Sequence, residues 1–339
     1  MKTVAFLNNK GGVGKTTLVF HLAHMFVKLG LRVVAADLDP QANLTTMFLS
    51  EDRLVELWPD EEHPKSVLGA IQPILDGTGY VADVHVETVG DGMGLIVGDL
   101  GMSGFEERLS DAWPRCSDKD PAAFRHTSAF HTIIESAASQ LSADIVLMDV
   151  GPNLGAINRA ALIAANYVVV PLAPDLFSLQ GLKNLGPTLR KWRIEWNERK
   201  SKAQGKPFES ISLPSGGMQP VGYVLSQFAI RLDRPTKAYD RWARQIPTVY
   251  SSAILGEPDP PTGILPDQDP NRLALLKHYR SLMPLAMEAR KPIFDLLPAD
   301  GAIGGHMDAV RSCRSDFKDL AIEIARRISL SLPHSPGRF

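Results

Sequence analysis

Ten residues near the start of the chain, Asn8-Asn9-Lys10-Gly11-Gly12-Val13-Gly14-Lys15-Thr16-Thr17, constrain the fold more than any other stretch. They follow the apolar run Val4-Ala5-Phe6-Leu7 and precede Leu18, Leu22, Met25, Phe26 and Leu29, which recur at helical spacing up to Gly30. A strand, a glycine-rich loop and a helix start, in that order, make a phosphate-binding loop. Gly11, Gly12 and Gly14 let backbone N–H groups turn inward around a polyphosphate, and the helix opening at Lys15 adds the positive end of its dipole. Lys15 is placed for the β- and γ-phosphates, and the Thr16 hydroxyl for the Mg²⁺ that bridges them. The expected ligand is a nucleoside triphosphate with magnesium, held by Gly11, Gly12, Val13, Gly14, Lys15, Thr16 and Thr17.

The usual first glycine of such a loop is Asn9 here, and a second lysine, Lys10, follows it. In this the loop resembles that of the ParA/MinD group of partition ATPases, whose deviant Walker A motif reads K-G-G-x-G-K-T-T. The resemblance implies ATP as the nucleotide and a homodimer closed across two ATP molecules. Lys10 then contacts the nucleotide of the partner subunit and counts, with Lys15, among the catalytic residues.

The next apolar run, residues 32–36, reads as a strand buried on both faces and ends in Asp37-Leu38-Asp39-Pro40-Gln41-Ala42-Asn43. Acids at the carboxyl end of a strand beside a phosphate loop belong to the active edge of an open α/β sheet. The segment resembles the family's D-x-D-P-Q-x-N motif, which implies an outer magnesium shell for Asp37 and positioning of the attacking water for Asp39. Asp149 closes another buried strand, residues 144–149, where a Walker B carboxylate holds magnesium through water. Val150-Gly151-Pro152-Asn153 resembles the D-x-x-P switch that follows, with Gly151 where the family has Pro or Ala. Ser226 and Gln227, at the end of the strand over 220–226, stand where the family contacts adenine.

Strands and helices alternate along the chain, so the expected fold is one doubly wound, mostly parallel α/β sheet with helices on both faces, occupying residues 1–339. Surface insertions are expected near 51–65, 197–218 and 251–270, where polar, Pro-rich or Gly-rich stretches interrupt the pattern. Residues 84–86 and 94–97 read as strands, 66–71 and 315–330 as helices, and 110–125 lacks periodicity. Trp192 and Trp196, four apart, read as packing residues on one helix face.

Net charge is −2, but residues 183–244 hold 13 Lys and Arg against 5 Asp and Glu. A basic segment in an otherwise acidic chain is an electrostatic footprint for a polyanion, or else an ordinary solvated surface; the resemblance implies that the polyanion is nonspecific double-stranded DNA. Arg231, Arg234, Lys237, Arg241 and Arg244 are the first candidates, and Arg199, Lys200, Lys202 and Lys206 the second. Cys116 and Cys313, far apart, suggest neither a disulfide framework nor a metal cluster. With no secretory signal and no long apolar run, the expected location is cytoplasmic and nucleoid-associated, not membrane-bound. No helix-turn-helix module is expected ahead of the loop.

The resemblance implies slow ATP hydrolysis stimulated by a ParB-like or adaptor protein, in DNA partition or cargo positioning. Two other classes compete with it. A MinD-like membrane-surface switch needs a basic amphipathic C-terminus, whereas acids and bases balance over residues 315–330; a metabolic P-loop ligase or kinase needs a small-molecule pocket.

Overall fold

Period-two alternation divides each central strand between two cores. In β1 (Lys2–Phe6), Val4 and Phe6 join one core and Ala5 the other; in β2 (Val33–Leu38), Val33 and Ala35 join the first and Val34, Ala36 and Leu38 the second. Strands apolar on both faces need helices on both sides, and the chain supplies them. The computed structural model describes residues 1–333 except 61, 229, 232–233, 236–240, 278 and 280; the side chains of 227, 228, 230, 231, 234 and 235 also lie outside the description.

The remaining strands are β3 (Glu87–Gly90), β4 (Met93–Ile96), β5 (Ile145–Val150), β6 (Tyr167–Leu172), β7 (Gln219–Phe228), β8 (Ile230–Arg231), β9 (Arg234–Pro235) and β10 (Arg272–Lys277). Eight of them form one sheet in the order β10-β7-β6-β1-β5-β2-β4-β3, parallel except for the edge pair β3–β4. β8 and β9 pair antiparallel with each other. The expected doubly wound α/β fold is therefore present.

Helices α1 (Lys15–Lys28), α2 (Asn43–Phe48) and α3 (Glu51–Leu57) contribute to the core that the C-terminal helix (Gly305–Arg327) also joins. α4 (Val67–Leu75), α5 (Phe105–Arg115), α6 (Pro121–Thr127), α7 (Ala129–Leu141), α8 (Ala156–Ala164), α9 (Leu176–Lys202) and the short α10 (Lys206–Glu209) pack on the opposite face. Trp192 and Trp196 are buried there, and Trp196 stacks on Trp113 at 6.0 Å.

Several local expectations are corrected. Residues 51–57 are helical, not loop: the Ser50 hydroxyl accepts from Arg53 N, and Glu51 and Asp52 favour the positive helix end. The 197–218 insertion begins later, because α9 runs on to Lys202 with Arg199, Lys200 and Lys202 in its last turn. Residues 250–255 form a π-helical stretch packed so closely on Gly186 that a Cβ there would lie 1.8 Å from the Ala253 carbonyl. Residues 84–86 are not a strand; the Val84 carbonyl accepts from Gln140 Nε2 at 2.9 Å. The final helix starts at Gly305, and β10 extends the sheet where no strand was expected.

Candidate functional site

Three strand ends converge at the phosphate loop. β5 lies between β1 and β2, and the register sets Asp149 level with both Phe6 and Asp37. The loop leaving β1 is pinned at its entry by Asn8, whose Nδ2 donates to the Pro171 carbonyl at 2.6 Å and whose Oδ1 accepts from Lys10 N at 3.0 Å. Asn9 occupies the usual glycine position because α9 makes room: a Cβ on Gly181 would lie 2.3 Å from Asn9 Oδ1.

Gly12 and Gly14 have φ of +74° and +85°, the left-handed region that side chains resist. A Cβ on Gly11, Gly12 or Gly14 would meet nothing within 4 Å, so the loop encloses an open cradle. Gly14 caps α1 without any side-chain hydrogen bond, which leaves the helix N–H groups for an anion.

Lys15 is 7% exposed beside Asp37, Asp39 and Asp149, all buried. Burial lowers the Lys15 pKa, while Asp149 and Asp39 oppose that shift. Burial pushes Asp37 up to about 7, with hydrogen bonds from Thr45 N and Oγ1, both 2.8 Å, pulling the other way. Burial, then the Asp37 charge, pushes Asp149 up to about 8 against the influence of Thr16 and Lys15. Asp39 Oδ1 accepts from Gln41 N at 3.0 Å.

These residues fit a triphosphate with magnesium. Asp37 Oδ1 and both Asp149 carboxylate oxygens are buried without a hydrogen-bond partner, and with the Thr16 hydroxyl they form the hard oxygen set that Mg²⁺ takes. Among the described residues no group of three or more His, Cys, Asp or Glu converges as a metal cage, which suits an ion that shares its shell with phosphate and water.

An apolar cavity of about 210 Å³ opens beside the cradle, lined by Gly14, Leu18, Ser226, Leu276, Tyr279 and Met283 among others. It can take a flat, weakly polar group attached to a bound polyphosphate. Ser226 was expected here; the side chain of Gln227 lies outside the described residues. The wall from β10 and the turn after it was missed. His21 of α1 was missed too: Nδ1 takes the Thr17 carbonyl at 2.8 Å, Nε2 accepts from Ile293 N at 3.0 Å, and the ring stacks on Phe317 at 4.7 Å. It ties the phosphate-loop helix to the C-terminal helix.

Residues 1–201, more than half of the chain, match the AAA domain family model AAA_31. Protein IncC of Escherichia coli is 33% identical over 201 residues, which span 57% of this chain and 47% of IncC. Chromosome partitioning protein ParA of Caulobacter vibrioides is 29% identical over 199 residues, 59% of this chain and 66% of the relative. The chain belongs to the ParA/MinD-type partition ATPase family. The match to IncC thus covers about half of that relative's length. Two solved structures share the fold: a Cyanothece McdA–ATP complex (TM-score 0.60, 14% identity, 99% of each chain) and a plasmid partition protein of Borrelia burgdorferi (TM-score 0.54, 15% identity, 96% and 99%).

The family's signature lysine, Lys10, forms an ion pair with Asp175, the N-cap of α9, and lies 5.9 Å from the Phe177 ring centroid. Of the DNA candidates, Arg241 is exposed with its guanidinium 4.8 Å from the Trp242 ring centroid, and Arg244 is exposed. Lys237 and the side chains of Arg231 and Arg234 lie outside the described residues. The second group is not a loose loop: Arg199 donates to the Trp113 carbonyl at 2.9 Å and Lys200 to that of Ser215 at 3.0 Å.

Proposed function

We propose that this protein is an ATP-dependent dimerisation switch that binds DNA nonspecifically and serves DNA partition or cargo positioning, with all 339 residues working as one unit. The observation that carries the reading is the pair of lysines on one phosphate loop. Lys15 is buried against Asp39 and Asp149, whereas Lys10, paired with Asp175, is about one-third exposed. In this reading Lys15 serves the loop's own nucleotide and Lys10 a second.

In this reading the cradle and Lys15 hold the phosphates, Ser226 and the apolar cavity take adenine, and Thr16, Asp37 and Asp149 hold Mg²⁺ directly or through water. Bound magnesium would draw charge from the phosphates as the bond to the terminal one breaks. Asp39 orients the attacking water. A ParB-like or adaptor protein stimulates hydrolysis and returns the monomer, on the nucleoid in the cytoplasm. The C-terminal helix buries Phe317, Leu320 and Ile324, so its apolar face is already used and does not favour a lipid surface. Among the described residues no helix is long and apolar enough to cross a membrane.

The test is mass in solution by light scattering with Mg-ATP against Mg-ADP, followed by retention on duplex DNA. A dimer with ATP alone, and DNA bound by that dimer, are the expected results. A monomer under both conditions would overturn the reading.

A further inference from the structure

The loop after Asp149 is fastened by a residue that the phosphate-loop chemistry does not explain. Asn158, in the first turn of α8, is 1% exposed. Its Nδ2 donates to the Gly151 carbonyl at 2.7 Å and to the Asn153 carbonyl at 2.6 Å. Both partners are acceptors, so the amide has one permitted orientation: the nitrogen faces the loop, and Oδ1 is left as a buried acceptor with no partner. A buried carbonyl oxygen in that condition is destabilising unless a donor reaches it.

The amide and the Asp39 carboxylate meet at Gly151. A Cβ placed on Gly151 would lie 3.4 Å from Asp39 Oδ1 and 3.6 Å from both Nδ2 and Oδ1 of Asn158. The free acceptor and the acid assigned to orient water therefore both border Gly151. Behind it, Glu106 of α5 accepts from Ala156 N at 2.5 Å and from Ile157 N at 2.9 Å, satisfying two of the open N–H groups of α8. The segment between Asp149 and α8 is thus held from within by Asn158 and from outside by Glu106.

We propose that Asn158 is a positioning residue for hydrolysis: it fixes residues 151–153 beside Asp39 and offers Oδ1 as a further acceptor for the attacking water. The inference rests on the ATPase reading above. It differs from a purely structural role, because a clamp needs only the Nδ2 donors, whereas orienting water also uses the acceptor.

The experiment compares wild type, Asn158→Ala, Asn158→Asp and Glu106→Gln. For each, turnover is measured with Mg-ATP, affinity with a non-hydrolysable ATP analogue, and folded fraction by thermal melting. Asn158→Ala, which loses donors and acceptor, is expected to lower kcat about tenfold or more, and Asn158→Asp, which keeps an acceptor but loses the Nδ2 donors, to lower it less, while analogue affinity of both stays within about twofold of wild type; equal losses in the two would remove the acceptor role. Glu106→Gln, which keeps one carbonyl acceptor, is expected to lose less. Unchanged kcat per folded molecule in both Asn158 variants would overturn the inference, as would an affinity that falls in step with kcat. Should Asn158→Ala not fold, Asn158→Asp against wild type carries the kcat-against-affinity comparison. Wild type that binds the analogue but never hydrolyses ATP would overturn the ATPase reading itself.

Discussion

Lys10 and Asp175 are paired within one chain, although the resemblance to partition ATPases assigns Lys10 to the nucleotide of a second subunit. Asp175 Oδ2 takes the Lys10 ammonium while Oδ1 accepts from Ser178 N at 2.8 Å, so one carboxylate anchors both the lysine and the start of α9. Each side chain is about one-third exposed, and such a pair is worth less than about 1 kcal/mol. The pair is strong enough to orient Lys10 and weak enough to release it.

Lys10→Ala should bind ATP as a monomer and fail to form the ATP dimer. Asp175→Asn keeps a good helix cap and removes the charge, so it should strengthen ATP-dependent dimerisation, by about thirtyfold at most because a symmetric dimer releases two such pairs. Light scattering across a protein concentration series reads both. Weaker dimerisation in Asp175→Asn would mean that Asp175 holds Lys10 in its working position.

Lys15→Ala removes the buried cation placed for the loop's own phosphates. Leaving Asp39 and Asp149 without that charge should reduce ATP affinity by about 2–5 kcal/mol, roughly thirtyfold or more. Titration of a fluorescent ATP analogue checks it, and affinity close to wild type would remove Lys15 from the site.

Asp39→Ala should slow hydrolysis while leaving nucleotide binding intact. The dimer would then persist after ATP is added, and size-exclusion chromatography over time should show slower return to monomer than in wild type. Return at the wild-type rate would place the water-orienting acid elsewhere.

The phosphate loop, the Asp37–Asp39 pair and Asp149 were legible in the sequence because each rests on local grammar: glycine spacing, a period of two, and an acid at the end of an apolar run. Gly181 and Gly186 carried no such mark, since their reason is an approach by Asn9 and by residue 253 from elsewhere in the chain. β10, with the spelling Arg-Leu-Ala-Leu-Leu-Lys, uses leucines that suit helices equally well, and only its pairing with β7 makes it a strand. His21 looks like any apolar-face position of α1. Its hydrogen bond to Ile293, across 272 residues, is invisible until the C-terminal segment folds over it.

His21 also sets a pH dependence. Burial lowers its pKa from 6.5 to about 4, the Thr17 carbonyl opposing, and burial does the same to His24. Between those values the unfolded chain binds a proton that the folded chain excludes at His21, so the His21 contribution to stability is full above pH 6.5 and is lost as pH falls toward 4. His21 alone accounts for about 3 kcal/mol across that window. Urea unfolding of wild type and His21→Leu at about pH 7.5 and about pH 5 isolates this contribution, because the raised Asp37 and Asp149 act in the opposite sense in both: the stability of His21→Leu relative to wild type should rise as pH falls. An unchanged slope in that variant would put the acid sensitivity elsewhere.

DNA binding is tested by salt. β7 carries Ser226 at the edge of the apolar cavity and leads directly into the β8–β9 hairpin, whose backbone includes Arg231 and Arg234. Arg241 and Arg244 follow, exposed, with Arg241 stacked on Trp242. A nucleotide that settles against Ser226 would be one strand end away from a run of basic residues, and in the proposed dimer two such runs would be available to DNA. Each DNA phosphate that a variant no longer neutralises should lower the slope of log affinity against log salt by about 0.9. Replacing Arg231, Arg234 and Lys237 by alanine should weaken every DNA sequence equally and flatten that slope, with ATP affinity unchanged. Lys200→Ala is the control: its ammonium is engaged by the Ser215 carbonyl, so the slope should not move. If Lys200→Ala flattened the slope and the triple variant did not, the DNA surface would lie along α9 instead of beyond β7.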